Sequence, residues 1–288
     1  MKKVILAPNP YRDKNFQTVR EAMRILTQNG MDVKICLPFE IDRSYDLPKD
    51  LHFSRLDKEI STASAVVCFG GDGTILHMAK AATRHGVPIL GVNIGTMGFM
   101  AELESTELDK LACLAKGEYS FDNRMMLDVT VQWDRDIVFH DICLNDVVVT
   151  KGAVARIVHL SVECDGVQAM ECSGDGIIVA TPTGSTAYSM SAGGPVADPR
   201  VACLCVTPIC PHSLGARPLI FPDSATLEIR NICQREKMLY LTVDGRTNCE
   251  LYRGETVRIT RSPLLTRLVR LKTCGFYDRL RVKMSEHN

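Results

Sequence analysis

The hydrophobic pattern changes period near residue 121, and few architectures accommodate both halves. Before that point, short apolar strands at Val4 to Ala7, Val33 to Leu37, Val66 to Phe69 and Ile89 to Val92 alternate with helical patterns such as Val19, Met23 and Leu26, which ends at Gly30. Strands apolar at successive positions need cover on both faces, so this half predicts an α/β domain with a mainly parallel sheet. After residue 121 a two-residue period takes over. Leu127, Val129, Val131 and Trp133 are expected on one face, and similar runs follow at Ile157 to Val162, Ile177 to Ala180, Leu239 to Val243 and Val257 to Ile259. The second half should be nearly all β. No repeat, low-complexity run or long linker separates the halves, so they are expected to pack tightly with a site between them.

The most informative local feature ends the third of the early strands. Phe69-Gly70-Gly71-Asp72-Gly73-Thr74 joins the apolar strand Ala65 to Phe69 to a helix expected to open at Thr74 and run through Lys80. Three glycines let the backbone approach a ligand closely, and the amides of the turn and of the first helical turn form an anion site. Asp72 sits in the middle of it. A carboxylate beside phosphates is repulsive unless it binds a cation or takes a proton from an attacking hydroxyl, which favours phosphoryl transfer over passive phosphate binding. The simpler alternative is that Asp72 only caps the helix.

Composition narrows the partners. The 288 residues carry 34 lysines and arginines against 34 aspartates and glutamates, so no basic field invites nucleic acid or an anionic membrane surface. A small molecule is the expected partner. The start, Met1 to Pro10, has a charged front like a signal peptide, but its apolar run is short and broken by Pro8 and Pro10, so it reads as a first strand. No apolar run approaches a membrane span. Twelve cysteines lie mostly inside apolar runs, as at Cys36, Cys68, Cys113 and Cys143, which reads as small buried hydrophobes in a reducing cytoplasm. Cys203, Cys205, Cys210 and His212 have the element types of a zinc site without its spacing.

Further polar segments fall where strands end. Gly91 to Phe99 is glycine-rich but matches neither a dinucleotide fingerprint nor, like Gly70 to Thr74, the ending of a P-loop. Asn145-Asp146 interrupts the apolar residues Ile142 to Leu144 and Val147 to Val149. Such a pair needs partners, which ribose hydroxyls and a base edge or phosphate can supply, or which a turn can supply from its own backbone. The stretch Gly174 to Ser189 combines a glycine-flanked Asp175, a strand and a hydroxyl-rich loop, Thr181-Pro182-Thr183-Gly184-Ser185-Thr186-Ala187-Tyr188, entering a helix. Its hydroxyls suit a polar ligand or ordinary helix caps.

These segments, with Gly193-Gly194-Pro195 and Pro208 to Leu214, resemble the bacterial NAD kinase family in order and approximate spacing, from about residue 65 to 245. The Gly-Gly-Asp-Gly-Thr turn alone is shared with lipid kinases and is similar to a motif of 6-phosphofructokinase; the set is far more specific. The resemblance implies transfer of the terminal phosphoryl group of ATP, or of polyphosphate, to the 2′-hydroxyl of the adenosine ribose of NAD, giving NADP. It implies an α/β domain over 1–121, a β-rich NAD-binding domain over 122–265 and a last segment, 266–288, returning to the first. It also implies a divalent cation, usually magnesium, with ligands that are not assigned, and a homodimer or homotetramer. Asp72 would be the general base, with Gly71, Gly73 and Thr74 on the donor phosphates and Asn145 and Asp146 gripping the acceptor. Asp175 and the stretch Thr186, Ala187, Tyr188 to Ser191 are similar to the remaining NAD contacts, some of them reaching across a subunit interface.

Several positions depart from or vary within that pattern. Asp146 stands where many members carry glutamate. Ser173 occupies a position resembling a determinant of NAD against NADH preference. Asp244 and Arg246, nucleotide contacts by the resemblance, fall in Val243-Asp244-Gly245-Arg246, which resembles a late motif that often ends in glutamine, and Arg156 matches a position that contacts NAD in some members. Two rivals remain. A lipid kinase built on the same turn would need a basic amphipathic surface, which the chain lacks. A non-catalytic NAD- or NADP-binding regulator would not need Asp72.

Overall fold

The computed structural model describes all residues except 43, 97, 153–156, 213–214, 234–237, 273–274 and 286–288. It divides into two units, Met1–Asn123 with Thr266–Asn288, and Arg124–Leu265. In the first, apolar runs such as Val4 to Ala7 and Ala65 to Phe69 become the buried centre of a parallel sheet. β1 (Lys3–Pro8), β2 (Asp32–Ile35), β3 (Ala65–Gly70) and β4 (Ile89–Asn93) run parallel in the order β4-β3-β1-β2, with β5 (Leu103–Glu104) beside β4. Helices α1 (Gln17–Gln28), α2 (Leu56–Glu59), α3 (Asp72–Arg84) and α4 (Leu111–Lys116) complete it. α1 buries Val19, Ala22 and Leu26, three and four residues apart, in one cluster with Val4, Leu6 and Leu90. α3 buries Ile75, Met78, Ala79 and Ala82 and packs on β3 and β4. Each large side chain so buried contributes roughly 1.5–3 kcal/mol. Register pairs Pro8 with Phe69 and Gly70 with Asn93, which brings three carboxyl strand ends to one edge, where open α/β sheets place ligands.

The second unit is built from alternating strands. β6 (Ser120–Trp133) enters it and forms a hairpin with β7 (Asp136–Cys143). β8 (Asp146–Thr150), β9 (Val158–Cys164), β10 (Val167–Gly174), β11 (Gly176–Ala180), β12 (Cys203–Ile209), β13 (Leu219–Pro222), β14 (Leu227–Asn231), β15 (Met238–Val243), β16 (Thr247–Tyr252) and β17 (Thr256–Arg270) follow. One antiparallel sheet has the order β13-β12-β11-β8-β15-β16; β10, β9, β14 and β17 pair in turn in a second. Inward positions of both, such as Val147, Ile177, Leu204 and Leu241 from one and Leu160, Ile229 and Ile259 from the other, share one core. The single-turn helix α5 (Tyr188–Ser191) follows β11, and α6 (Phe276–Ser285) follows β17. The last residues of β17 lie in the first unit, where Leu268 pairs in parallel with Ile89.

Three expectations need correction. Trp133 is 50% exposed instead of sharing the buried face of Leu127, Val129 and Val131, because a register shift between Val131 and Gln132 breaks the alternation. The strand expected at Val257 to Ile259 extends to Arg270, and the helix expected to open at Thr74 opens at Asp72. The fold is otherwise an α/β unit with a mainly parallel sheet and a β-rich unit. Among the described residues no helix is long and apolar enough to cross a membrane.

Candidate functional site

Two constellations carry the candidate chemistry, one in each unit. In the first, β3 ends at Gly70 with φ of +156°, where a Cβ would lie 2.3 Å from the Thr74 hydroxyl oxygen. Gly71 precedes α3, and no side chain caps that helix. Asp72 opens α3 and turns its carboxylate to the loop after β4. Its Oδ2 accepts from the Phe99 amide at 2.7 Å and its Oδ1 from the Met100 amide at 3.0 Å. A Cβ on Gly98 would stand 2.2 Å from Oδ1, so this contact requires glycine there. Asp72 is therefore oriented by two amides and does not act as a cap, and each oxygen keeps a lone pair for a proton or a cation.

The loop that orients Asp72 is itself fixed within the same unit. Arg279 of α6 donates to the Phe99 carbonyl at 2.9 Å, and Arg270 at the end of β17 donates to the Met100 carbonyl at 3.0 Å. Both guanidinium groups also reach Glu102, whose side chain is 1% exposed, at 3.0 and 3.1 Å. The other Glu102 oxygen accepts from the Leu271 and Lys272 amides. Glu102 is thus paired with both arginines and Arg270 also with Asp122 at 2.9 Å, which holds the peptide geometry as long as none of these charges is removed.

The second constellation is the turn between β7 and β8. Asp244, at φ +52°, places its carboxylate beneath it and accepts from the amides of Leu144 at 3.0 Å, Asn145 at 2.7 Å and Asp146 at 3.3 Å. Thr181 braces the same turn, donating from Oγ1 to the Leu144 carbonyl at 2.6 Å and from its amide to the Asn145 carbonyl at 2.9 Å. Gly184 packs so closely that a Cβ would fall 2.0 Å from the Asn145 carbonyl oxygen. The amides go to Asp244, which leaves the Asn145 and Asp146 side chains to other partners. Asn145 Oδ1 is buried and has none among the described residues. Asp146 is 6% exposed, and burial, then the neighbouring Asp244 charge, pushes its carboxyl up to about 7. Burial also raises Asp244, opposed by the three amides it accepts.

The remaining candidate residues fall in two places. Thr186, whose hydroxyl donates to the Thr183 carbonyl at 3.2 Å, Ala187, the 45% exposed Tyr188 and the exposed Ser191 continue from the Thr181 brace. Arg246 follows Asp244 in the same turn, half-buried, with burial lowering its guanidinium to about 10. Asp175 and Ser173 lie elsewhere. Asp175 immediately precedes β11 and pairs with Lys151, whereas Asp146 is opposite Ala180, the last residue of that strand, five residues and roughly 17 Å away at about 3.4 Å per residue. Ser173 shares a 2.7 Å hydrogen bond with His159 Nδ1. Arg156 lies outside the described residues. Sequence reasoning missed Gly98, Glu102, Arg270, Arg279 and the bracing roles of Thr181 and Gly184. Gly98 left a signal inside the glycine-rich Gly91 to Phe99 segment, as Thr181 and Gly184 did inside the hydroxyl-rich Thr181 to Tyr188 loop, whereas Glu102, Arg270 and Arg279 left none.

Comparison with known proteins points to one family. The ATP-NAD kinase N-terminal domain model matches residues 4–119 and the ATP-NAD kinase C-terminal domain model residues 144–271. The NAD kinase of Ruminiclostridium cellulolyticum is 33% identical over 291 residues, covering 99% of this chain and 99% of its own. That of Geobacter metallireducens is 43% identical over 224 residues, covering 77% and 78%. Yeast NADH kinase, solved with NADH, matches with a TM-score of 0.85 at 24% identity, covering 99% of this chain and 88% of its own. The NAD kinase of Archaeoglobus fulgidus, solved with ATP, matches at 0.73 and 24% identity, covering 98% of each. At that identity the two solved structures show a shared fold. Two domain models in the right order, relatives similar from end to end, and the glycine turn with its oriented aspartate together place the chain in the NAD kinase family.

Proposed function

We propose that the chain transfers the terminal phosphoryl group of ATP to the 2′-hydroxyl of the adenosine ribose of NAD, producing NADP. The observation that carries this reading is Asp72, a carboxylate fixed by two amides at the start of a helix whose free N–H groups attract phosphate. Phosphoryl transfer needs little covalent help, so placing the hydroxyl, offsetting charge on the donor and removing one proton supply most of the rate. Asp72 accepts the proton of the attacking hydroxyl. Gly71 and Gly73 hold the donor phosphates with backbone N–H groups, and Thr74, whose amide donates to the Gly71 carbonyl at 2.9 Å, does so with its hydroxyl. In the second unit Asn145 and Asp146 bind the acceptor ribose, and Asp244 positions them from beneath. Thr186, Ala187, Tyr188, Ser191 and Arg246 extend that surface. Asp175, Ser173 and Arg156 serve the distant half of the dinucleotide or the acceptor of a second copy in a homodimer or homotetramer.

Among the described residues no three His, Cys, Asp or Glu side chains gather to hold a metal ion. A magnesium ion carried by donor phosphates needs only one or two protein carboxylates, and Asp72 beside the phosphate turn fits that demand. When bound, it would offset negative charge on the donor oxygens. We place the reaction in the cytoplasm. The test is a coupled assay with glucose-6-phosphate dehydrogenase that detects NADP formed from NAD, with ATP and polyphosphate in turn and magnesium added or chelated. Magnesium-dependent NADP formation with at least one donor is expected. Its absence with both donors, or preferred phosphorylation of a diacylglycerol or free adenosine, contradicts the reading.

A further inference from the structure

Arg12 lies across the glycine turns of the first unit, and its placement is fixed by the chain after β1. The Asn9 amide donates to the Phe69 carbonyl at 2.8 Å, and Asn9 Nδ2 donates to the Thr74 hydroxyl at 3.3 Å. The Asn9 side-chain oxygen accepts from the Tyr11 amide at 3.1 Å, and its carbonyl accepts from the Arg12 and Asp13 amides at 3.1 and 3.0 Å. Buried Asp13 then accepts from the Thr18 and Val19 amides at the start of α1, at 3.0 Å each. This tight turn carries the Arg12 guanidinium to the end of β3. Nη1 donates to the Ile94 carbonyl at 3.3 Å, and it stands 3.3 Å from where a Cβ on Gly71 would be and 3.1 Å from one on Gly95. Gly71 has φ of −93°, which any residue adopts, so its missing side chain makes room for the guanidinium and is not needed for the backbone.

The electrostatics of this placement are unfavourable without a ligand. A cation at a helix N-terminus sits at the wrong end of the helix dipole, and α3 starts directly after Gly71. No carboxylate pairs directly with the guanidinium: among the described residues Arg12 has no ion-pair partner, whereas Arg20, Arg24, Arg55 and Arg230 do. An anion beside both the guanidinium and the first amides of α3 reverses the sign of the interaction. We propose that Arg12 binds the phosphates of the phosphoryl donor, with Gly71 and Gly95 kept small to admit its guanidinium. The proposal rests on the kinase reading and names a residue of its donor site. Arg12 forms no bond and moves no proton. Its fork of N–H groups matches phosphate oxygens, which nucleoside triphosphates and inorganic polyphosphate share.

The test measures donor binding separately from turnover. Arg12→Ala, Arg12→Lys and Gly71→Ala are compared with wild type by calorimetry using ATP and inorganic tripolyphosphate, and by KM for ATP and for NAD. Loss of a charge-assisted contact predicts roughly 10–100-fold weaker binding of both phosphate probes to Arg12→Ala and unchanged KM for NAD. Arg12→Lys should recover part of it, since charge returns without the fork, and Gly71→Ala should fall between lysine and wild type. Arg12 is exposed, so the alanine variant keeps its fold. Unchanged binding of both probes overturns the proposal. So do equal losses toward donor and NAD, losses with ATP alone, or no tripolyphosphate binding by wild type. If wild type binds tripolyphosphate through Arg12 but makes no NADP from NAD, the kinase reading fails and the Arg12 assignment stands.

Discussion

The two candidate turns each carry a carboxylate with a proposed role, and the protein treats the two groups in opposite ways. Asp72 is itself the acceptor of the orienting amides, Phe99 and Met100, so the side chain proposed to meet the reacting group is held in place. At Asn145-Asp146 the orienting amides belong to the site residues, and a separate carboxylate, Asp244, takes them. Asp146 keeps its own oxygens for other partners but lies buried next to a second negative charge. A group that accepts a proton must be aimed closely, because a displacement of about 1 Å can cost roughly 10²-fold in rate. A group that grips hydroxyls needs unspent acceptors in a dry place, and the raised proton affinity of Asp146 follows from that burial.

Replacing Asp72 attacks the first half of this comparison with the largest expected effect. Asp72→Asn keeps the size and one amide contact but cannot take the proton, so kcat should fall by about 10²–10⁴ with far less change in KM, read from initial rates over a range of NAD. Gly98→Ala leaves Asp72 in the sequence but puts a Cβ where its carboxylate rests. Turnover should drop by about 10², while the thermal melt stays close to wild type. A variant with full kcat would show that the orientation by Phe99 and Met100 is dispensable.

Smaller effects should come from the support beneath that loop. Arg279→Ala leaves Glu102 buried with one guanidinium fewer and frees the Phe99 carbonyl. A destabilisation of roughly 3 kcal/mol in a denaturant melt is expected, with kcat lowered by about tenfold. Loss of stability with unchanged kcat would separate the C-terminal return from the chemistry.

The acceptor turn should respond most to pH. The Asp146 carboxyl titrates near 7 in the folded chain, against about 3.9 unfolded, so the native state holds its proton more tightly. Its contribution to stability is therefore fully present below about pH 4 and is lost as pH rises through about 7. NAD binding runs the other way, because the ionised carboxylate is the stronger acceptor of ribose hydroxyls. Calorimetry from pH 6 to 8 should show NAD affinity rising about fivefold, and Asp146→Asn should flatten the curve. A flat wild-type profile would remove Asp146 from the acceptor contacts.

What could be read in the sequence was contiguous. Gly70 to Thr74 lie side by side, as do Asn145 and Asp146, and a change of period from helix-and-strand to alternation survives in any linear reading. What was illegible depends on chain returns. Asp72 meets amides 27 and 28 residues away, and Asp244 lies about 100 residues from the turn it supports, so it entered only through a resemblance, as a nucleotide contact, while its hold on three amides was invisible. Arg12 reaches Gly71 because β1 lies beside β3, a strand order no local pattern encodes. Trp133 was misplaced because one bulge shifts a strand's alternation without altering its composition.

The most direct measurement crosses the two carboxylates in one experiment. Purified Asp72→Asn and Asp146→Asn are titrated with NAD by calorimetry and then assayed for NADP formation at saturating NAD and ATP. Asp72→Asn should bind NAD with wild-type affinity and turn over about 10²–10⁴ times more slowly, whereas Asp146→Asn should bind NAD more weakly and lose less turnover once saturated. Near wild-type turnover by Asp72→Asn, or equal losses of affinity and rate in both variants, would contradict the division of roles between the two turns.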